Sequence, residues 1–199
     1  DASHGEEPAP ERMRLIDRQV LSLLHRMHAR LVPEDGTDVD GDPAYQRMRA
    51  EILEEGFVGE YWYESTGFRK ELSRRDCRRV VDVLELFRVI TFSIEWLAKQ
   101  GVSVDFKKAY ALEFRGFDHH DPLEGHMAEY VEFLLRDRWS ELKPQWERND
   151  QGNSHFPTLS GYLRMLTVYR QIKDERDRGH DRFDYRLSLE ELTRIADAS

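Results

Sequence analysis

The sequence predicts an all-α fold of about six helices packed around one long apolar helix near residues 74–99. Three observations carry that expectation. Apolar residues recur at three- and four-residue steps in six separate stretches, and helix-start signals precede several of them. Only Val102 to Phe106 reads as a strand, too little for a sheet.

Taken in order, Asp1 to Ala9 is polar and aperiodic and reads as a linker or disordered N-terminus, with residues 10–199 forming a single helical domain. From Pro10 the pattern turns helical. Ile16, Val20, Leu23, Leu24, Met27 and Leu31 form a stripe expected to face inward, and Pro33 ends it. Asp42-Pro43 supplies an N-cap and a first-turn proline for a second helix, with Tyr45, Met48, Ile52 and Leu53 inside and Gly56 as its stop. Phe57 to Phe68 is aromatic and glycine-punctuated and fits either a short helix or an irregular packed segment. Ser73 with Asp76 resembles a capping box and opens the long helix, which Gly101 ends. Its apolar positions, Val80 to Leu97, cover much of the circumference, so it is expected at the centre. Asp121-Pro122 starts another helix, Thr158 to about Glu175 forms a further one, and Ser188-Leu189-Glu190-Glu191 is a full capping box for the last.

The chain has 199 residues, enough to bury roughly 70% of its unfolded surface without disulfides or a structural metal. Its one cysteine, Cys77, excludes an intramolecular disulfide and fits a reducing cytoplasm. The most apolar stretch is broken by Asp82, Glu85, Arg88 and Glu95, so no membrane partner is expected. A net charge of −9 repels nucleic acid overall. The charge is uneven. Glu34 to Asp42 carries five acids and no base, whereas Arg74, Arg75, Arg78 and Arg79 stack at four-residue spacing on the first turns of the long helix. Arginines at a helix N-terminus suit an anion site, although pairing with the surplus carboxylates is the preferred account.

Other constellations have a structural reading beside the functional one. An EF-hand register with Gly41 at the sixth position fails at Gly36 and Arg47, so a solvated loop is preferred. Asp118 to His126 holds six potential ligands in nine residues. Capping duties for Asp121 and Glu124 make a metal site the lesser reading, and neither metal nor cofactor is expected. Glu60 and Glu64 fit an acid–base pair but also chance spacing, and His25 and His28 fit hydrogen-bonded positions beside the first apolar stripe. Arg148 and His155 are the candidate catalytic pair. A histidine base and an arginine that stabilises a pentacovalent phosphate suit metal-free RNA cleavage. Their spacing resembles the motif of HEPN-type ribonucleases, which are all-α and usually dimeric. Large apolar residues outside the clearest stripes (Phe57, Tyr61, Trp62, Tyr63, Trp139, Trp146) predict a homo-oligomer.

Three blocks, Gly116-Phe117-Asp118, Asn153-Ser154-His155-x-Pro157 and Tyr162-x-x-Met165-Leu166, together with Glu54-Glu55-Gly56-Phe57 ahead of a long helix beginning near Arg75-Asp76-Cys77, resemble the YfbU family. The resemblance runs from about Arg14 onward. It implies an all-helical, oligomeric, cytoplasmic bacterial domain with no established activity, hence a non-enzymatic interaction or regulatory module. Some relatives carry a ribbon-helix-helix DNA-binding segment before the domain. This sequence holds none, so nucleic acid is expected only through an upstream segment of that kind.

Overall fold

A computed structural model describes residues 9–34, 41–178 and 185–199. The expected linker at 1–8 and the loop at 35–40, including Gly36, Asp38 and Asp40 of the EF-hand test, lie outside the described residues. The fold is all-α. Among the described residues there are nine α-helices and no strand: α1 Leu15–His28, α2 Pro43–Glu55, α3 Trp62–Ser65, α4 Arg74–Lys99, α5 Phe106–Ala111, α6 Pro122–Leu135, α7 Lys143–Arg148, α8 Leu159–Arg178 and α9 Leu189–Ala196. Six are eight residues or longer, and these match the six periodic stretches. The short α3, α5 and α7 carry too few turns to show a period. The chain divides into two compact units, residues 1–71 and 72–199.

The first unit is the α1–α2 pair followed by the aromatic segment. Asp42 Oδ1 accepts the Tyr45 N–H at 2.7 Å, which fixes the start of α2. Gly56 ends it at φ 73°, a left-handed value that a side chain resists. Phe57 to Phe68 resolves into a 3-10 turn at Val58–Glu60 and the single turn of α3. The apolar core of this unit is small: Ile52, Leu53 and Tyr61, with Met13, Leu21, Met48 and Tyr63 packed around them.

The second unit holds the larger core. Ser73 Oγ accepts the Asp76 N–H at 3.1 Å and opens α4, and Gly101 follows its end at φ 76°. Helix α4 buries Val80, Val83, Leu84, Leu86, Phe87 and Ile90. It is not, however, a single apolar centre. Arg78, Glu85, Arg88 and Glu95 keep one face of it in solvent, because unpaired charges are too costly to bury. The core is shared with Met127, Val131 and Leu134 of α6, Tyr162, Met165 and Ile172 of α8, and Leu192 and Ile195 of α9. The Ser188 capping box forms as expected. Val102 to Phe106 forms no strand, and its last residue opens α5.

The blocks at 116–118, 153–157 and 162–166 meet in one knot. Phe117 and Asn153 form a parallel β-bridge: the Phe117 N–H donates to Gly152 O at 2.9 Å and the Ser154 N–H to Phe117 O at 3.1 Å. Gly116 O accepts from Thr158 Oγ1 at 2.9 Å and from the Tyr162 hydroxyl at 3.0 Å. Burial holds that hydroxyl well above the ordinary tyrosine pKa, so it stays a neutral donor.

Candidate functional site

The first helix is inverted. Its apolar stripe, Ile16, Val20, Leu23, Leu24, Met27 and Leu31, is half to three-quarters exposed, and Leu15 beside it is exposed too. The expectation that this stripe faces inward is overturned. What α1 turns toward α2 is its other face, Arg18, Ser22 and His25, and every polar group named there finds a partner. Arg18 donates to Leu53 O at 2.7 Å and Glu54 O at 2.9 Å. Ser22 Oγ donates to Glu54 Oε1 at 2.5 Å, and Arg26 Nη1 lies 2.8 Å from the same oxygen. The ring nitrogens of His25 lie 2.7 Å from Gln46 Oε1 and 3.0 Å from Glu64 Oε2. Arg49 grips both oxygens of Glu64, at 3.0 and 3.2 Å. These bonds fix the rotation of α1 about its own axis, and that rotation presents the apolar stripe to solvent.

Glu64 is the hub of this cluster, with a side chain only 6% exposed. Burial alone would raise its pKa. Hydrogen bonds from His25 and Arg49 and the charge beside them outweigh burial, and the carboxyl sits below the ordinary glutamate value. Glu60 does not join it; its Oε2 accepts from Trp62 Nε1 at 3.3 Å. Glu60 and Glu64 therefore form no acid–base pair, and the chance-spacing reading fits. An open apolar groove of about 890 Å³ runs beside this cluster, walled by Met13, Leu24, Met27, Leu31 and Phe68, with His25 and Glu64 at its polar edge. Of the aromatic surplus that predicted an oligomer, Tyr61 and Trp146 are buried, whereas Phe57 and Trp62 stay exposed. The larger apolar surface is the α1 stripe.

In the second unit the sequence candidates take separate roles. Arg148 is held by Glu113, with Nη2 2.6 Å and Nε 3.0 Å from one carboxylate oxygen. His155 Nε2 lies 3.0 Å from Asp150 Oδ2, and its N–H donates to Asn153 Oδ1 at 3.1 Å. Its backbone is left-handed at φ 58°, in a turn that also holds Asp150 and Gln151 at positive φ. Arg79 pairs with Asp76 at 2.8 Å and Arg75 lies 3.5 Å from it, while Arg74 and Arg78 are exposed. The six potential ligands of Asp118 to His126 diverge. Asp121 caps α6, His120 rests against Asp118 at 3.3 Å, and Glu124 turns inward to cap α8. Among the described residues no three His, Cys, Asp or Glu are placed to hold a metal. No helix among them is long and apolar enough to cross a membrane.

Sequence reasoning did not single out Gln46, Arg49 or Arg115. Gln46 and Arg49 meet partners far off in sequence, His25 and Glu64, and Arg115 stacks on the distant Phe156, so no local spacing marks them. The YfbU-domain family model matches residues 12–198, nearly the whole chain, and this chain belongs to that family.

Proposed function

We propose that this YfbU-family chain is a self-associating, non-enzymatic interaction module in which the α1 stripe is the contact face between two copies. The inverted α1 carries the reading. Five large apolar side chains on one face of α1, with Leu31 just beyond its end, are each half or more exposed, an apolar surface on the scale of one side of a standard interface, about 800 Å². Monomeric surfaces rarely leave such a patch open. Ile16, Val20, Leu23 and Met27 step by four, three and four residues, the seam spacing that two helices of the same kind interleave. A two-fold pairing of copies needs one self-complementary patch, and a straight seam on one helix is such a patch. The polar residues of both units hold structural roles, which fits an interaction module. Glu64, Glu124, His25 and Arg148 all hold hydrogen bonds or ion pairs that position backbone or neighbouring side chains.

Light scattering across a concentration series tests the reading. The wild-type chain is expected to run as a dimer or larger oligomer. The paired change Leu23→Glu, Met27→Glu is expected to give a folded monomer with unchanged helicity. A wild-type chain that stays at 23.6 kDa at high micromolar concentration overturns it. The competing reading, a HEPN-like ribonuclease using Arg148 and His155, needs both groups on one phosphate, and here each is occupied by its own carboxylate. Metal-independent RNA cleavage lost on Arg148→Ala or on His155→Ala in folded protein would put that reading first.

A further inference from the structure

A second cavity, of about 280 Å³, lies in the 72–199 unit and is lined by Tyr110, Arg115, Phe156, Ser160, Gly161 and Arg164 among others. Arg115 is its unusual member. The guanidinium carbon lies 4.4 Å from the Tyr110 ring centre and 4.5 Å from that of Phe156, so the planar group is clamped between two aromatic faces. Such stacking holds a guanidinium in plane and leaves its N–H edge as the only direction for hydrogen bonding. Among the described residues that edge meets no carboxylate, and Nε is buried with no acceptor. This is notable in a chain with 39 acids to 30 bases, where Arg49, Arg79, Arg148, Arg176 and Arg194 each hold a carboxylate. Glu113, the only Asp or Glu lining the cavity, is already taken by Arg148, and the last residue, Ser199, lines it as well.

Two further donors converge on the same space. Arg164 anchors Nε on Ala198 O at 3.0 Å; over the first turn of α8 its Nη2 lies 3.7 Å, and the carbonyl carbon of Ser199 3.4 Å, from where a Cβ on Gly161 would stand. In that turn Glu124 takes the N–H groups of Thr158 and Leu159. The next two, of Ser160 and Gly161, have no acceptor among the described residues. The cavity thus gathers two arginines, two backbone N–H groups and the Ser160 hydroxyl, with Ser199 at its wall and Tyr110 and Phe156, each about half exposed, beside them.

We propose that this cavity binds a phosphorylated small molecule. The oxyanion would sit between Arg115, Arg164 and the α8 N–H groups, and the organic part would lie against Tyr110 and Phe156. A tetrahedral phosphate offers enough acceptor oxygens for this donor set, more than a carboxylate does. The site is independent of the association face on α1.

Calorimetric titration of the full chain with phenyl phosphate, inorganic phosphate and benzoate, at matched ionic strength, tests the proposal. Phenyl phosphate is expected to bind tightest and inorganic phosphate more weakly, with benzoate last. Arg115→Gln and the exposed Arg164→Gln are each expected to weaken phenyl phosphate about tenfold or more, the scale of one charge-assisted hydrogen bond. Circular dichroism checks that both variants stay folded, and Arg164 is exposed enough that its loss should not disturb the core. No binding of any phosphate in the millimolar range overturns the proposal, as does binding that both folded variants leave unchanged.

Discussion

Removing the Glu124 carboxylate should destabilise the 72–199 unit more than any other single polar truncation in it. Glu124 is buried on α6, yet its oxygens serve three backbone donors on other segments. Oε2 accepts from the N–H groups of Asp118 and Thr158, both at 3.0 Å, and Oε1 from that of Leu159 at 2.9 Å. The Thr158 hydroxyl adds a longer contact at 3.3 Å. The carboxylate therefore ties α6, the Gly116-Phe117-Asp118 segment of the knot and the start of α8 together. Its charge also lies at the positive end of a 20-residue helix. In Glu124→Ala two buried N–H groups and one half-buried one lose their acceptor at about 1–3 kcal/mol each, and partial hydration of the gap brings the total to roughly 3–6 kcal/mol. That is a large share of the 5–15 kcal/mol that typically holds a domain together. Glu124→Gln keeps the volume and one oxygen but turns an amide N–H₂ toward at least one backbone donor. Its cost should be intermediate, about 2 kcal/mol.

Urea unfolding of both variants, followed by tryptophan fluorescence, gives the two numbers. Amide exchange localises them, because Asp118, Thr158 and Leu159 should lose protection before the middle of α4. A Glu124→Ala variant within about 1 kcal/mol of wild type would refute the reasoning, since it would mean that water replaces the carboxylate at no cost.

Gly116→Ala should abolish folding of the knot: at φ 77° a Cβ would stand 1.9 Å from Gly152 O, and backbone cannot yield as a flexible side chain can. Loss of soluble protein, or a fall of many degrees in Tm, is the expected outcome. Glu64→Gln should destabilise the 1–71 unit at neutral pH and lose that effect in acid. The folded-state pKa of Glu64 lies below the ordinary value of 4.5, so its contribution is complete above that value and disappears as pH falls through the depressed one. An equal cost of Glu64→Gln at pH 7 and at about pH 3 would contradict the assigned hydrogen-bond hub.

The helices were legible because their signals are local. Asp42-Pro43, Ser73 with Asp76, Asp121-Pro122 and the Ser188 box each act within four residues, and each caps the helix it announces. Glu124 shows where local reading stops. It stands at the capping-box position of α6, but its carboxylate reaches 34 residues along the chain to Thr158. A neutral two-residue crossing such as Phe117 with Asn153 carries no periodicity, so the knot that joins the blocks cannot be read before the chain is folded. The same holds for Arg115, whose aromatic clamp comes from α5 and from the segment before α8.

The α1 stripe exposes a different limit. Hydrophobic periodicity says that a face will be buried; it does not say by which molecule. Two faces of α1 carry a helical period at once: Ile16, Val20, Leu23 and Met27 on one side, and Arg18, Ser22, His25 and Ala29 on the other, each stepping by four, three and four residues. Burying the polar face costs little only because each polar group has a specific partner on α2 or in the segment after it. Polar packing fixes geometry but supplies little net stability per bond, and the apolar core of this unit is small. Covering the stripe with a second copy would supply the missing apolar burial, so association and the stability of residues 1–71 should be linked by mass action. The stripe residues Leu23 and Met27 are exposed within the chain, so charging them removes little intrachain packing. Any large stability lost by that pair at high protein concentration, and absent on dilution, is therefore a measure of the interface itself.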